Sequence, residues 1–140
     1  MTSVETYRGS VYPWEADHMD HMNVQFYVAK FDEATWQFFA MIGMTPSFLR
    51  QENRGMAAIE QVLKYRRELL PGDLVVVRTR LLEMSNKTVR FHHAMENVET
   101  GEEAASAEML GVHIDRDARK SCPFPETVRA AGRRLLAVAS

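Results

Sequence analysis

The sequence predicts an α+β fold in which one long helix is wrapped by a mainly antiparallel five-stranded sheet. Three observations lead there. Apolar residues recur at helical spacing from Val24 to Ile42, four later segments carry strand-like alternation or β-branched content, and the turns between those segments are short. A helix with a single apolar stripe needs a broad cover, and strands in close succession supply an antiparallel one. With 140 residues, 46% hydrophobic and 26% charged, the whole chain, 1–140, is expected to build one core.

The elements follow in order. "SVETYRGSVYP" reads as a weakly signalled first strand. The helix has Val24, Tyr27, Val28, Phe31, Ala34, Phe38 and Ile42 on one stripe, Asn23 as a good N-cap and Gly43 as a C′ residue. The capping box is incomplete, because Phe26 rather than Glu or Gln stands at the third helical position. No Pro or Gly interrupts it, so it is expected to run as one rod of about 28 Å. "MAAIEQVLKYRREL", "LVVVRTRLLE", "TVRFHHAMENV" and "EEAASAEMLGVHI" are the next four strands. In the third of these, Val89, Phe91, His93 and Met95 share one face and Arg90 and His92 the other, the pattern of a half-buried strand. Turns fall at Pro71-Gly72-Asp73, Ser85-Asn86-Lys87 and Thr100-Gly101-Glu102, and short connections of this kind predict an antiparallel meander. "PETVRAAGRRLLAVA" reads as a closing helix opened near Pro125.

Bulk properties narrow the function classes. A net charge of −2, with acids and bases mixed along the chain, offers no polycationic surface for nucleic acid. The single Cys122 forms no internal disulfide, and "MTSVETYRGS" has neither a basic n-region nor an apolar h-region. No apolar run approaches the roughly 20 residues that span a bilayer. A cytoplasmic protein without membrane or nucleic-acid partners is the expectation.

The chemistry concentrates in "DHMDHMN", Asp17 to Asn23. Two carboxylates and two imidazoles in seven residues fit a metal set, an acid/base site or a polar turn. The spacing lacks a cysteine set or a second ligand cluster, which argues against metal. "DHMDHMNVQFY" resembles the Asp-x-Met/Phe-Gly-His-x-Asn pattern, with Tyr four residues on, of hotdog-fold acyl-CoA thioesterases of the 4-hydroxybenzoyl-CoA thioesterase type. "YRRELLPGDLVVVRTRL" and "PFPETVRA" resemble later segments of that family, so the likeness covers nearly the whole chain. The longer stretch "HMNVQFYVAKFDEATW" is similar to the branch that hydrolyses betainyl-CoA in carnitine catabolism. The chain departs from the pattern at Asp20, where the family has Gly, the residue that best tolerates a positive φ.

The resemblance implies a hotdog fold, hydrolysis of an acyl-CoA with no cofactor or metal beyond the coenzyme A of the substrate, and a homodimer or homotetramer with sites between subunits. It implies catalysis by Asp17, as nucleophile or general base, with His21 and Asn23 in support. Backbone N–H groups of Val24, Gln25 and Phe26 at the helix start are candidates for an oxyanion hole, although an Asn23 cap would consume one of them. Trp14, Glu15 and Trp36 are candidates for a cage around a trimethylammonium acyl group. Arg66, Arg67, Lys87 and Arg90 are candidates for the coenzyme A phosphates. Glu60, among apolar strand neighbours, suggests a subunit-interface ion pair ahead of an inward functional acid. A non-catalytic acyl-CoA-binding module and a hydratase or dehydratase on the same fold are the alternatives.

Overall fold

The computed structural model describes residues 3–139; Met1 and Thr2, which begin the stretch read for a leader, and Ser140 lie outside the described residues. The order is β1 (Val4–Ser10), a 3-10 turn (Pro13–Glu15), α1 (Val24–Met41), α2 (Pro46–Gln51), β2 (Arg54–Tyr65), β3 (Leu74–Met84), β4 (Thr88–Asn97), β5 (Glu103–Asp115), β6 (Lys120–Ser121) and α3 (Glu126–Ala139). α1 begins at Val24 behind an Asn23 cap and ends before Gly43, whose φ of 102° stops the helix as anticipated. α2, opened by a Thr45 cap and Pro46, and the two-residue β6 had no clear signal at their short lengths.

All strand pairs are antiparallel, in the order β1-β3-β4-β5-β2. The expected meander therefore holds only for β3, β4 and β5; β2 crosses to the far edge and pairs with β5. The reason is α1. It connects β1 to β2, and its 18 residues, about 27 Å of helix, match a sheet of five strands spaced about 4.8 Å apart. A connection of that length delivers β2 to the opposite edge.

The helix packs through Tyr27, Phe31, Ala34, Phe38 and Phe39, all buried. Phe31 stacks on His93, while Phe38 and Phe39 meet Phe91 with centroids 5.4 and 5.5 Å apart. Each such ring contributes on the order of 2 kcal/mol by leaving water. Along β4, burial alternates as read: Val89, Phe91, His93 and Met95 are in the core and Arg90 and His92 are not. His93 is accommodated because Thr35 and Thr79 hydroxyls lie 2.8 and 2.6 Å from its two ring nitrogens.

Two features remain uncovered. Val24, Val28 and Trp36 are exposed at four-residue multiples along α1, with Asp32 between them. β2 is an edge strand with Ile59, Val62 and Tyr65 exposed. Val24 and Val28 thus leave the buried stripe assigned to them, because the sheet covers only the side of the helix that carries Phe31 and Phe38. No helix among the described residues is long and apolar enough to cross a membrane.

Candidate active site

The site begins where β1 gives way to the helix. An isolated bridge between Ala16 and Met22 closes a five-residue loop, Asp17 to His21. Inside it, Asp17 N donates to His21 O at 3.1 Å and Asp20 N to Asp17 O at 2.9 Å. Asp20 has φ 66°, the left-handed conformation that glycine supplies elsewhere and that Asp adopts more readily than most residues. The departure at position 20 therefore preserves the turn. The loop is pinned from below by the segment between β2 and β3: Met22 N donates to Leu69 O at 2.8 Å, and Leu69 is fully buried.

Asp17 accepts from Met19 N at Oδ1 (2.8 Å) and from Asn23 Nδ2 at Oδ2 (2.9 Å). Both donors favour the charged form, Met19 most and Asn23 next, and hold the carboxyl below the usual Asp range. The turn hydrogen bond leaves each oxygen a lone pair, so it is compatible with a catalytic role for Asp17.

Asn23 decides which helix donor is free. Its Oδ1 accepts from Gln25 N at 3.0 Å and its backbone O from Phe26 N at 3.0 Å. Of the three N–H groups anticipated as an oxyanion hole, Gln25 and Phe26 are occupied. Only the Val24 N–H has no partner among the described residues. It points from the positive end of an 18-residue helix.

The expected Trp14–Glu15–Trp36 cage does not assemble within the chain. Glu15 is 7% exposed and Lys30 4%, and they pair at 2.9 Å. Glu15 Oε1 also accepts from Tyr12 N, and its backbone O accepts from Asn23 N at 2.9 Å. A buried carboxylate with an internal cation has no charge left for a ligand. Trp14 stacks flat on Tyr12 in solvent. Trp36 lies twelve residues, about 18 Å, along the helix from Val24. It lines a separate groove of about 80 Å³ with Asp32, Phe39, Met56 and Gln61. That groove is the more enclosed, but it shares no residue with the motif loop.

The cleft that does touch the loop has a volume of about 230 Å³ and is walled by His21, Val24, Tyr27, Tyr65, Arg66, Arg67 and Glu68. His21 lies 3.4 Å from Met22 O through Nδ1 and 3.8 Å from Glu68 through Nε2, a loop-fixing position. His18 is exposed. Among the described residues no three His, Cys, Asp or Glu side chains converge as a metal set. Of the basic residues picked for coenzyme A, Arg66 and Arg67 reach this cleft, each already paired: Arg66 with Glu103 at 2.7 Å and Arg67 with Glu102 at 2.9 Å. Arg90 is on the sheet, held by Glu108 and Glu60, and Lys87 is in the β3–β4 turn. Glu60 therefore pairs within its own chain, because Arg90 of β4 reaches it across β5. Sequence reading missed Lys30, Tyr65 and Glu68: all three fall within stretches that resemble the family, but nothing in their spacing assigns them a role.

Comparison with known proteins shows the family and the fold. The model of the thioesterase-like superfamily matches residues 11–132. The betainyl-CoA thioesterase of Pseudomonas aeruginosa is 30% identical over 125 residues, 89% of this chain and 79% of that protein. A Staphylococcus aureus protein solved in complex with CoA superposes with a TM-score of 0.90 at 20% identity, covering 98% of this chain and 87% of that one. The 1,4-dihydroxy-2-naphthoyl-CoA thioesterase of Synechocystis gives a TM-score of 0.81 at 16% identity, over 92% and 95% of the two chains. The shared architecture is the hotdog fold. With a family match that runs from Val11 to Gly132, the chain belongs to the thioesterase-like superfamily.

Proposed function

We propose that this protein hydrolyses acyl-CoA thioesters of small acyl groups, betainyl-CoA foremost, with Asp17 as the catalytic carboxylate and the Val24 N–H as oxyanion donor. The observation that carries the proposal is the double engagement of Asn23. Its amide nitrogen holds Asp17, while its amide oxygen caps the helix whose first N–H stays free. The substrate's thioester carbonyl is thereby offered a carboxylate and a preorganised N–H from neighbouring points of one chain.

A carboxylate held below the usual Asp range is anionic at neutral pH and a weak proton acceptor, so direct attack is the step it suits best. An Asp17 oxygen adds to the carbonyl carbon and the oxyanion accepts from Val24 N–H. The C–S bond then breaks, and the coenzyme A thiolate leaves and takes a proton from water. Water hydrolyses the resulting mixed anhydride to the free acid and restores Asp17. His21 and Asn23 position the loop. Oxygen-18 water in a single turnover checks the step: with water adding to the anhydride at the Asp17 carboxyl carbon, direct attack labels Asp17 and releases an unlabelled acid, whereas label found only in the product acid supports water activated by Asp17.

The substrate class is supported by the betainyl-CoA activity named for the Pseudomonas relative and by the CoA bound to the Staphylococcus protein. Asp20, the departure from the family pattern, takes a left-handed φ and keeps the loop closed, which favours catalysis over a binding module. A homodimer suits the free edge of β2 and the exposed stripe of α1, because both need cover. Thiol release from betainyl-, 4-hydroxybenzoyl- and short-chain acyl-CoAs tests the reading. Turnover of at least one supports it; tight binding of one with no turnover of any would make the protein a binder.

A further inference from the structure

We infer that Tyr65 and Glu68 form the acyl-selecting wall of the cleft at the start of α1 and select for a cationic acyl group. The inference rests on the thioesterase reading and deepens it. When a trimethylammonium group sits on the carbon next to the carbonyl, its nitrogen lies about 2.5 Å from the reacting carbon. Whatever recognises that charge must adjoin the oxyanion donor. The groove at Asp32 and Trp36 begins eight residues along α1 from Val24, about 12 Å away, which is beyond that reach within one chain. The cleft shared by His21, Val24, Tyr65 and Glu68 meets the condition.

Its walls have the required chemistry. Tyr65, at the end of β2, is 46% exposed and stands edge-on to Tyr27 with centroids 5.2 Å apart. Tyr27 is buried and its hydroxyl donates to Arg67 O at 3.3 Å, which fixes the pair. Aromatic rings of this kind attract a desolvated cation, quaternary ammonium above all. The charge balance adds to this. Glu103 and Glu102 neutralise Arg66 and Arg67, whereas the Glu68 side chain, 72% exposed, has among the described residues only His21 Nε2, at 3.8 Å. The wall therefore keeps one uncompensated carboxylate beside His21 of the motif loop. An acyl cation gains from it, a neutral acyl group gains nothing, and an anionic one is repelled.

The test compares betainyl-CoA with 3,3-dimethylbutyryl-CoA, which has the same shape with carbon in place of the quaternary nitrogen. The ratio of their kcat/KM values is measured for wild type, Glu68→Gln, Tyr65→Leu and Asp32→Asn. Wild type should favour the cationic ester, and Glu68→Gln should lower the ratio about tenfold, chiefly through KM. Tyr65→Leu should lower it as well, while Asp32→Asn keeps it. An unchanged ratio in Glu68→Gln, or a collapse in Asp32→Asn instead, overturns the inference. If wild type cleaves neither ester and none of the 4-hydroxybenzoyl- and short-chain acyl-CoAs, the thioesterase reading fails. The affinities of both esters for Asp17→Asn and for Asp17→Asn/Glu68→Gln then decide the selectivity: a cationic preference lost in the double variant supports it, and equal affinities overturn it.

Discussion

Asn23 does two things with one side chain, and substitutions separate them. Asn23→Ala removes the cap, at a cost of about 1 kcal/mol in urea unfolding, and releases Asp17. In the proposed mechanism Asp17 works deprotonated, and its pKa is lowered in the native loop. Loss of the Asn23 donor raises it, so the acid limb of kcat/KM should move to higher pH. Asn23→Asp retains a capping oxygen but faces Asp17 with a like charge; it should keep stability and lose most activity. Lys30→Met strands Glu15 in the interior and should cost about 3–5 kcal/mol by the same unfolding measurement, much of it recovered on adding Glu15→Gln. At this scale the motif made Asp17, Asn23 and the odd Asp20 legible, because their roles are local. Lys30 was illegible: a lysine in a helix reads as solvent-facing, and only the folding back of Pro13–Glu15 buries it.

α1 and β4 were readable as elements because periodicity reports which face is covered. Phe38 sits at the centre of that face. What periodicity does not report is pairing across the chain, so β2 was placed beside β3 when the α1 connection sends it to β5. The polar chain through the core, Thr35–His93–Thr79–Thr6, was likewise invisible, since its members come from α1, β4, β3 and β1. It has a measurable consequence. Burial pushes His93 down to about 3 from an ordinary value of 6.5, so below pH 6.5 the unfolded chain takes up a proton that the folded one refuses. Stability is then complete above pH 6.5 and falls toward pH 3, by up to about 1.4 kcal/mol per pH unit. Thermal unfolding across that range should show this slope, and His93→Gln should flatten it.

For the molecule as a whole, composition and charge set the class, while the assembly depends on surfaces that only the folded chain displays. Ile59 and Val62 on the free edge of β2 and Val24, Val28 and Trp36 on α1 make an apolar border that a second copy would cover. Ile59→Lys should move the species seen by sedimentation velocity from dimer to monomer and reduce activity with it, whereas a dimer that persists would place the interface elsewhere. The tie from Glu15 and Lys30 through Asn23 to Asp17 runs from the buried helix face to the loop, so fold and chemistry meet at one residue. Asp17 is proposed to perform thioester hydrolysis at the start of α1. Thiol release from betainyl-CoA by wild type and Asp17→Asn, compared side by side with unfolding curves for both, tests it most directly. Matching stability within about 1 kcal/mol and a fall in kcat of at least about 100-fold are expected; an Asp17→Asn protein that turns over at the wild-type rate would remove Asp17 from the chemistry.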